Sequence, residues 1–565
     1  MTIELVPRPA SMTVNSGDPF QLDDGTVLVA TGPAADAAWL LHDLLRAGTG
    51  LRLPVTDTAP ATGAIEFTLT GEPPAEWTTA REAYRLEITA TGVRIGAAAP
   101  AGLIQAVHTL RQLLPVDTLR SVAVARAPFP LPALVIEDEP RFAWRGLMLD
   151  VARHFLPKES VLRIIDLAAL HHLNVLHFHL TDDQGWRLPV PGWPKLTEIS
   201  SWRTETAIGH ALAKAGYDGT PHGGYYTADD LREIVAYAGY RGMTVVPEID
   251  LPGHVRSVLA AYPELGNTGE RKPVATTFGI FSEVLAPSDE ALRFCRDVFD
   301  TVADIFPANF VHIGGDECPR TEWRDSPFAQ EKAAELGLAG PEMLQSWFTR
   351  QYADHLAGHG RSIIGWDEIL DGGAPADAVV MVWRDFAIAA KAIEKGHRVI
   401  VAPVQAAYLD YYPSDLPEEP LHIHNQITLE DIADFEPVPD GADESSLLGV
   451  QSQLWSEYLP TSRAVEYALF PRLAASAELA WSTPQVRRDH PLLERIPGHL
   501  KRLDALGVNY RPLDGPHPWQ QGVPEPGPES MCRNCRPSAV KIPTCPPCEH
   551  VVEAGRVIVR PPSHD

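Results

Sequence analysis

Cysteine, basic residues and long apolar runs are all scarce in this chain of 565 residues. Two of its six cysteines, Cys295 and Cys318, stand isolated in the main body, so no disulfide framework is predicted there. Lys and Arg number 47 against 74 Asp and Glu, which gives a net charge of -27. Because this charge repels phosphate backbones and anionic lipids, nucleic acid and membrane surfaces are not expected partners.

The N-terminus lacks the pattern of a secretory signal. "MTIELVPRPASM" has no basic segment followed by an apolar run of about seven residues or more. No stretch of the chain is long and apolar enough to span a bilayer. With the isolated cysteines, these absences predict a cytoplasmic protein.

The first part of the chain, residues 1–137, is predicted to be a small α+β domain. "AYRLEITATGVRIGAA" alternates apolar and polar residues on both sides of Thr91-Gly92, which predicts a hairpin. "PAGLIQAVHTLRQLLP" has leucines and valine at helical spacing between two prolines, which predicts a helix. The proline-rich "RAPFPLPALVIEDEPRF" that follows is predicted to be a linker.

Residues 138–512 repeat one theme, in which a short apolar strand ends in polar or aromatic residues and a helical stretch follows. Eight strands alternating with crossovers predict an α/β fold, a (β/α)8 TIM barrel, with its active site at the carboxyl ends of the strands. One crossover is too short for a full helix, and the long segment 183–227 is expected to shape a ligand site. The predicted strands are "LMLDVAR", "VLHFHLTDD", "TVVPEIDLPGH", "FVHIGGDE", "SIIGWDEI", "VVMVWRD", "RVIVAP" and "LLGVQSQLWSE".

The C-terminal tail, residues 513–565, begins as a proline-rich tether and carries two CxxC pairs nine residues apart. In a reducing compartment that spacing fits a tetrahedral structural zinc site formed by Cys532, Cys535, Cys545 and Cys548. The alternative is a flexible tail with redox-labile thiols, since few apolar residues could pack around a metal. Both interpretations stay open, and the tail's partner is unknown.

Carboxylates and tryptophans dominate the predicted strand ends. Indole rings stack on the apolar faces of a pyranose, while carboxylates and Arg hydrogen-bond its hydroxyls, so this mixture favours a sugar ligand. No Walker loop, dinucleotide glycine fingerprint or HExxH helix competes with it. The residues so placed are Asp150, Arg153, Asp182, Asp183, Asp250, His254, Asp316, Glu317, Trp366, Asp367, Trp383, Trp455 and Glu457.

Six ordered motifs resemble those of family 20 glycoside hydrolases, the β-N-acetylhexosaminidases. They are "RGLMLDVARHF", "HFHLTDDQGWR", "EIDLPGH", "HIGGDE", "GWDEIL" and "LWSEY", and the resemblance covers about residues 80–510. It implies an exo-acting enzyme that releases terminal β-linked GlcNAc or GalNAc from oligosaccharides or glycoconjugates with retention of configuration. No cofactor is implied for catalysis.

The resemblance also implies a role for each matching residue. The substrate's own 2-acetamido oxygen would attack the anomeric carbon, with Glu317 as general acid/base and Asp316 orienting the acetamido N–H and stabilising an oxazolinium ion. Asp182, Asp250 and His254 would set the charge state of Glu317 from behind. Sugar hydroxyls would be bound by Arg153, Asp410 and Glu457, the acetamido carbonyl by Tyr408, and the acetamido methyl by Trp347, Trp366 and Trp455.

Simpler interpretations exist for several of these residues. A lone "DE" after a strand more often caps the next helix, and tryptophans more often belong to the core, as Trp383 equally could. His177 and His179 share a strand face, but no third metal ligand is apparent from spacing, so hydrogen-bonded core histidines are favoured over a catalytic metal. Cys318 has no indicated base and is predicted to pack rather than react.

Two rival functions remain open at this stage. One is a narrower hydrolase of the same fold, selective for a particular disaccharide, a chitin fragment or a sulfated sugar, which the loop over 183–227 would decide. The other is a sugar-binding protein without activity. The presence of Asp316, Glu317, Tyr408 and Arg153 argues against the second, because a binding protein needs no acid/base.

Overall fold

The structure is a computed structural model, and it describes residues 3–423, 425–521, 549–553 and 556–560. The first domain is built on a mixed seven-stranded sheet. The strands of this domain, seven in the sheet and two in a separate pair, are β1 (Ser11–Val14), β2 (Phe20–Leu22), β3 (Val27–Val29), β4 (Val55–Thr56), β5 (Ala64–Leu69), β6 (Tyr84–Thr89), β7 (Gly92–Ala97), β8 (Phe129–Leu131) and β9 (Leu134–Asp138). The sheet order is β1-β9-β6-β7-β5-β3-β4, and β2 pairs separately with β8. The predicted hairpin is the antiparallel pair β6 and β7.

Two helices, α1 (Ala35–Thr49) and α2 (Pro100–Leu113), pack on this sheet and on each other. Helix α2 is buried along nearly all its length because the sheet covers one side and the second domain the other. Its polar residues are therefore paired across the junction: Gln112 donates to the carbonyls of Val6 and Leu170, at 2.7 and 3.0 Å. The predicted helix is thus also the joint between the two domains.

The prediction of a linker over residues 126–142 was wrong, because this segment forms β8 and β9. Leu134 and Ile136 are fully buried, and β9 pairs antiparallel with both β1 and β6. Three of the four prolines that suggested a linker precede β9 and Pro140 follows it, while Pro130 lies in β8, which has only one pairing partner. A strand edge without a partner tolerates the missing N–H of proline.

The second domain contains a closed barrel of eight parallel strands, which confirms the predicted fold. All eight predicted strands are present, and their order around the barrel is β10-β11-β16-β17-β18-β19-β20-β21. The strands of this domain are β10 (Trp144–Asp150), β11 (Val175–His179), β12 (Thr181–Asp182), β13 (Gly185–Trp186), β14 (Trp202–Arg203), β15 (His222–Gly223), β16 (Thr244–Glu248), β17 (Phe310–His312), β18 (Ser362–Trp366), β19 (Val379–Val382), β20 (Val399–Val401) and β21 (Leu447–Ser452).

Helices surround the barrel except after β18, where a 3-10 helix over Asp367–Gly372 replaces the crossover, as the short spacing predicted. The long segment after β11 forms the small hairpins β12-β13 and β14-β15 above the barrel. The helices are α3 (Lys158–Leu170), α4 (Lys195–Glu198), α5 (Ala228–Tyr240), α6 (Arg256–Ala261), α7 (Asp289–Ile305), α8 (Thr321–Asp325), α9 (Pro327–Glu335), α10 (Leu344–Gly358), α11 (Ala387–Glu394), α12 (Leu429–Asp434), α13 (Ser462–Leu469), α14 (Arg472–Trp481), α15 (Pro484–Asp489) and α16 (Leu492–Ala505).

Near the C-terminus, β22 (Glu549–Glu553) and β23 (Arg556–Arg560) form an antiparallel pair that the sequence interpretation did not include. The predicted zinc ligands lie outside the described residues; these are Cys532, Cys535, Cys545 and Cys548.

Among the helices of the described ranges, none has the length and apolar character needed to cross a bilayer.

Candidate active site

The turn after β17 carries the two neighbouring carboxylates. Gly314 and Gly315 have φ angles of 67° and 96°, and a Cβ at Gly314 would lie 1.9 Å from Oδ1 of Asp250. Only glycine fits this conformation and this space. Glu317 itself has a φ of 45°, so the backbone has left the sheet and the strict alternation of strand side chains no longer applies. Asp316 and Glu317 can therefore both face the barrel mouth.

His254 brings the two carboxylates into one group. Its Nε2 lies 3.8 Å from Oδ2 of Asp316 and 3.8 Å from Oε2 of Glu317. One oxygen of each carboxyl group and one ring nitrogen of His254 all lie within 4.8 Å of one another. The adjacent residues predicted to act on one substrate thus share a single neighbouring histidine.

Glu317 has the proton affinity of a general acid. Burial raises the pKa of its carboxyl to about 7, against the opposing charge of His254 and with a further rise from the Asp316 carboxylate. Its side chain is still 26% exposed, so a substrate can reach it. A carboxyl group with this pKa can give up a proton and take one back near neutral pH.

Behind this pair, Asp182 connects His254 to Arg153. His254 donates from Nδ1 to Oδ1 of Asp182 and Oδ2 of Asp183, at 3.2 and 3.0 Å. The Arg153 guanidinium lies 2.9 Å from Oδ2 of Asp182. Although burial opposes ionisation, Arg153 and His254 hold the pKa of Asp182 well below its usual value. Burial lowers the pKa of His254, but the charge of Asp182 outweighs this effect and raises that pKa well above its usual value. The ring of His254 is therefore cationic.

Asp250, the third predicted supporting residue, holds the glycine turn. Its Oδ1 accepts a hydrogen bond from the Gly315 N–H at 3.0 Å. Burial, and then the Asp316 charge, raise the pKa of Asp250 well above its usual value. Asp250 therefore shapes the turn that carries the carboxylate pair, while Asp182 sets the charge of His254.

A buried network under the site is centred on Glu248, which the sequence interpretation did not single out. Nδ1 of His179 donates to Oε2 of Glu248 at 2.5 Å, and Nε2 of the same ring donates to Asp182 at 3.0 Å. Trp366 donates its indole N–H to Oε1 of Glu248 at 2.8 Å. Glu248 thus supports both the acid/base group, through His179 and Asp182, and the aromatic part of the site, through Trp366.

Glu248 and His312 lie beside His177, a proximity that spacing in the sequence did not reveal. Nε2 of His177 lies 2.9 Å from Oε2 of Glu248, and Nδ1 of His312 lies 3.0 Å from Oε1. Gln451 donates to the other ring nitrogen of His177 at 2.9 Å. Contacts with the Glu248 carboxylate and with Gln451 therefore hold these histidines within the barrel core.

Four aromatic side chains form a contiguous wall beside the carboxylates. The ring of Trp366 lies 5.9 Å from that of Trp455 and 6.5 Å from that of Trp383, which stacks on Tyr408 at 6.3 Å. Arg153 lies over the Trp455 ring at 4.7 Å. Trp383, left undecided between core and site, belongs to this wall, and Glu368 fixes it by accepting its indole N–H at 3.0 Å.

Trp347 stands in the first turn of α10, with its ring edge-on to Phe348. Gln345, two residues earlier, donates to the Gly315 carbonyl at 2.6 Å. The start of α10 is thereby tied to the glycine turn that carries Asp316. The structure places Trp347 near the site, and its contact with an acetamido methyl stays a prediction.

Asp410 and Glu457 offer buried hydrogen-bond acceptors at the far side of the site. Both carboxylate oxygens of Asp410 and Oε2 of Glu457 lack a hydrogen-bond donor of good geometry among the described residues. Oε1 of Glu457 lies 3.9 Å from Arg153. Buried acceptors of this kind are stabilised by donors such as sugar hydroxyls. Arg153 itself is fixed by Asp150 at 3.2 Å and by Gln184 at 3.2 Å.

A barrel with a paired acid at one strand end, an aromatic wall and buried carboxylates for hydroxyls is organised to cleave sugars. These features define a glycoside hydrolase.

Comparison with known proteins supplies the family. The model of "Glycosyl hydrolase family 20, catalytic domain" matches residues 142–484, and that of "Glycosyl hydrolase family 20, domain 2" matches residues 2–139. A β-hexosaminidase from Porphyromonas gingivalis is 38% identical over 516 residues, which are 90% of this chain and 64% of that protein. A β-N-acetylhexosaminidase from Cellulomonas fimi is 35% identical over 519 residues, 90% of this chain and 96% of that one.

A solved structure agrees with these relatives. A mutant of Streptomyces plicatus β-hexosaminidase, determined in complex with its product GlcNAc, superposes with a TM-score of 0.77 at 32% identity, and the match covers 91% of this chain and 97% of that one. The chain therefore belongs to glycosyl hydrolase family 20. The predicted family, fold and β-N-acetylhexosaminidase class are confirmed, and the hydrolysis catalysed by this family needs no cofactor.

Proposed function

We propose that the chain removes terminal β-linked GlcNAc or GalNAc from oligosaccharides or glycoconjugates, with retention and with the substrate's acetamido group as nucleophile. The observation that carries this proposal is the carboxylate pair around His254, in which burial raises the pKa of Glu317 to about 7 and Asp316 lies equally close to the histidine ring. A second candidate nucleophile is not needed, since a carboxylate beside the acid can orient an acetamido group instead.

In the first step the acetamido oxygen forms a bond to the anomeric carbon while the glycosidic C–O bond breaks. The electron pair of that bond stays on the leaving oxygen, which takes the proton of Glu317. Asp316 accepts a hydrogen bond from the acetamido N–H and stabilises the positive charge of the resulting oxazolinium ion. In the second step Glu317 takes a proton from water, whose oxygen attacks the anomeric carbon and reopens the ring.

The other residues hold the sugar in place for these steps. Arg153, Asp410 and Glu457 bind hydroxyls at the closed end, in keeping with the buried acceptors there. Tyr408 donates to the acetamido carbonyl, and Trp347, Trp366 and Trp455 enclose its methyl group. Trp383 supports Tyr408 by stacking.

Hydrolysis of three aryl glycosides tests this function. We expect aryl β-GlcNAc and aryl β-GalNAc to be cleaved and aryl β-glucoside to react hardly at all, because the glucoside lacks the acetamido nucleophile. The measurement is release of the aryl alcohol under identical conditions, with NMR of the first-formed anomer for stereochemistry. Equal rates on all three substrates, or an inverted product, would rule out the proposed reaction.

For the tail, we propose that Cys532, Cys535, Cys545 and Cys548 hold one structural zinc ion, on the CxxC spacing alone. Elemental analysis of the whole chain and of a chain ending before residue 527 should differ by about one zinc per molecule. If the two contain the same amount of zinc, the tail is a tether and not a metal site.

A cytoplasmic location, and the absence of nucleic-acid and membrane partners, are likewise proposals that rest on the sequence and its charge of -27. Fractionation of source cells, followed with an antibody against the chain and a cytoplasmic marker, tests the location. Recovery outside the marker's fraction would contradict it.

A further inference from the structure

Three side chains with metal-binding groups meet on the outside of the barrel, away from the active site. His355 lies in the last turn of α10, His359 follows directly after the end of that helix, and Asp300 lies on the neighbouring helix α7. His359 comes just before β18, which begins at Ser362, so the group lies near the amino ends of the strands. The active site is at the opposite, carboxyl ends.

The two histidines contact the same carboxylate oxygen of Asp300. Nε2 of His355 and Nε2 of His359 each lie 2.8 Å from the same atom, Oδ1 of Asp300. The three donor atoms lie within 4.8 Å of one another. The side chains are 22%, 37% and 53% exposed for His355, His359 and Asp300, so an ion in water can reach all of them.

The donor set indicates the kind of ion. Two imidazole nitrogens and one carboxylate oxygen suit Zn²⁺, Co²⁺, Ni²⁺ or Cu²⁺, whereas Mg²⁺ and Ca²⁺ prefer oxygen alone. With metal–ligand bonds of about 2.0–2.2 Å, tetrahedral donors stand roughly half an ångström further apart than the present hydrogen bonds. Partly exposed side chains on two helices can make that adjustment by small rotations.

We propose that Asp300, His355 and His359 form a binding site for one divalent transition-metal ion, with water completing its coordination. The ion takes the place of the hydrogen bonds between the two Nε2 atoms and Asp300, and each imidazole then carries its proton on Nδ1. Because Asp300 belongs to α7, and His355 and His359 to the end of α10 and the residue after it, the ion links these two segments and stabilises the folded chain. The site serves no step of sugar hydrolysis.

Titration of the full-length protein with Co²⁺ and Zn²⁺ tests the proposal. The unmodified chain is compared with the double variant His355→Gln, His359→Gln. Calorimetry measures ion binding to each protein, and the visible spectrum reports on bound Co²⁺. We expect the unmodified chain to bind about one ion more than the variant. We expect the added Co²⁺ to lack the thiolate charge-transfer band that the tail cysteines would give.

Two single variants complete the design. Asp300→Asn should weaken the ion's affinity at least tenfold, while Asp304→Asn, one turn along α7 and 69% exposed, should leave it unchanged. Zn²⁺ should raise the Tm of the unmodified chain more than that of the double variant, and activity on aryl β-GlcNAc should be equal in both. Equal ion stoichiometry in the unmodified chain and the double variant would overturn the proposal.

Discussion

Replacing Glu317 by Gln is expected to lower kcat/KM by about 10²- to 10⁴-fold for substrates whose leaving group is a sugar, because such a leaving group must be protonated. The loss should be much smaller for an activated aryl β-GlcNAc, whose leaving group departs without a proton. The measurement compares kcat/KM on chitobiose with that on a dinitrophenyl glycoside for the variant and the unmodified enzyme. A control is Glu335→Gln, which changes a carboxylate that is 60% exposed on α9.

The pH dependence of kcat/KM is a second test of the acid role of Glu317. The general acid must be protonated, so kcat/KM of the unmodified enzyme on chitobiose should fall as pH rises through the pKa of Glu317, about 7. That descending limb should be absent from the residual activity of Glu317→Gln. An equal loss on both leaving groups, or an unchanged limb, would remove Glu317 from the acid role.

Replacing Asp316 by Asn is expected to lower kcat about 10²- to 10³-fold on aryl β-GlcNAc, since the charge that stabilises the oxazolinium ion is lost. Activated leaving groups should not rescue this variant, in contrast to Glu317→Gln. Asp325→Asn, at the exposed end of α8, is the matched control and should keep full activity.

A second effect of Asp316→Asn follows from its position beside Glu317. The Asp316 charge raises the pKa of the Glu317 carboxyl, so its removal should lower that pKa. The descending limb of kcat/KM on chitobiose should therefore move to lower pH. A limb that stays in place, together with rescue by a good leaving group, would contradict the role given to Asp316.

The barrel could be predicted because each of its strands is a short apolar run that ends in polar residues. Strand β17 is only three residues long, yet the sequence "FVHIGG" predicts both the strand and the glycine turn that follows it. The error at residues 126–142 came from treating proline as a mark of a linker. Buried Leu134 and Ile136 in β9 carried the opposite signal, a strand alternation that deserved more weight.

The candidate site was predictable where a motif holds its residues close together in sequence, as in Asp316 and Glu317. The support beneath it was not, because Glu248 meets His179 and Trp366 only after separate strands close into a barrel. A partial signal was available in "EID", because Glu248 ends β16 and Asp250 follows two residues later, the spacing of side chains that share one face. Asp300, His355 and His359 gave no such signal, since they come from two segments of the chain over 50 residues apart.

Adjacent carboxylates after a strand first suggest an acid and a nucleophile. The structure instead gives Glu317 a neutral-range pKa and sets Asp316 beside the cationic ring of His254. Such a pair is suited to one residue acting on the leaving oxygen and the other on a nucleophile that arrives with the substrate.

The central claim is that this nucleophile is the acetamido oxygen, and substrates with one, two or three fluorines on the acetyl group test it most directly. Fluorine withdraws electrons and weakens the oxygen as a nucleophile, without altering the leaving group. We predict that kcat/KM on the aryl glycosides falls steeply with each added fluorine. Rates that do not change along this series would contradict the account, because a nucleophile supplied by the protein would not sense the fluorines in this way.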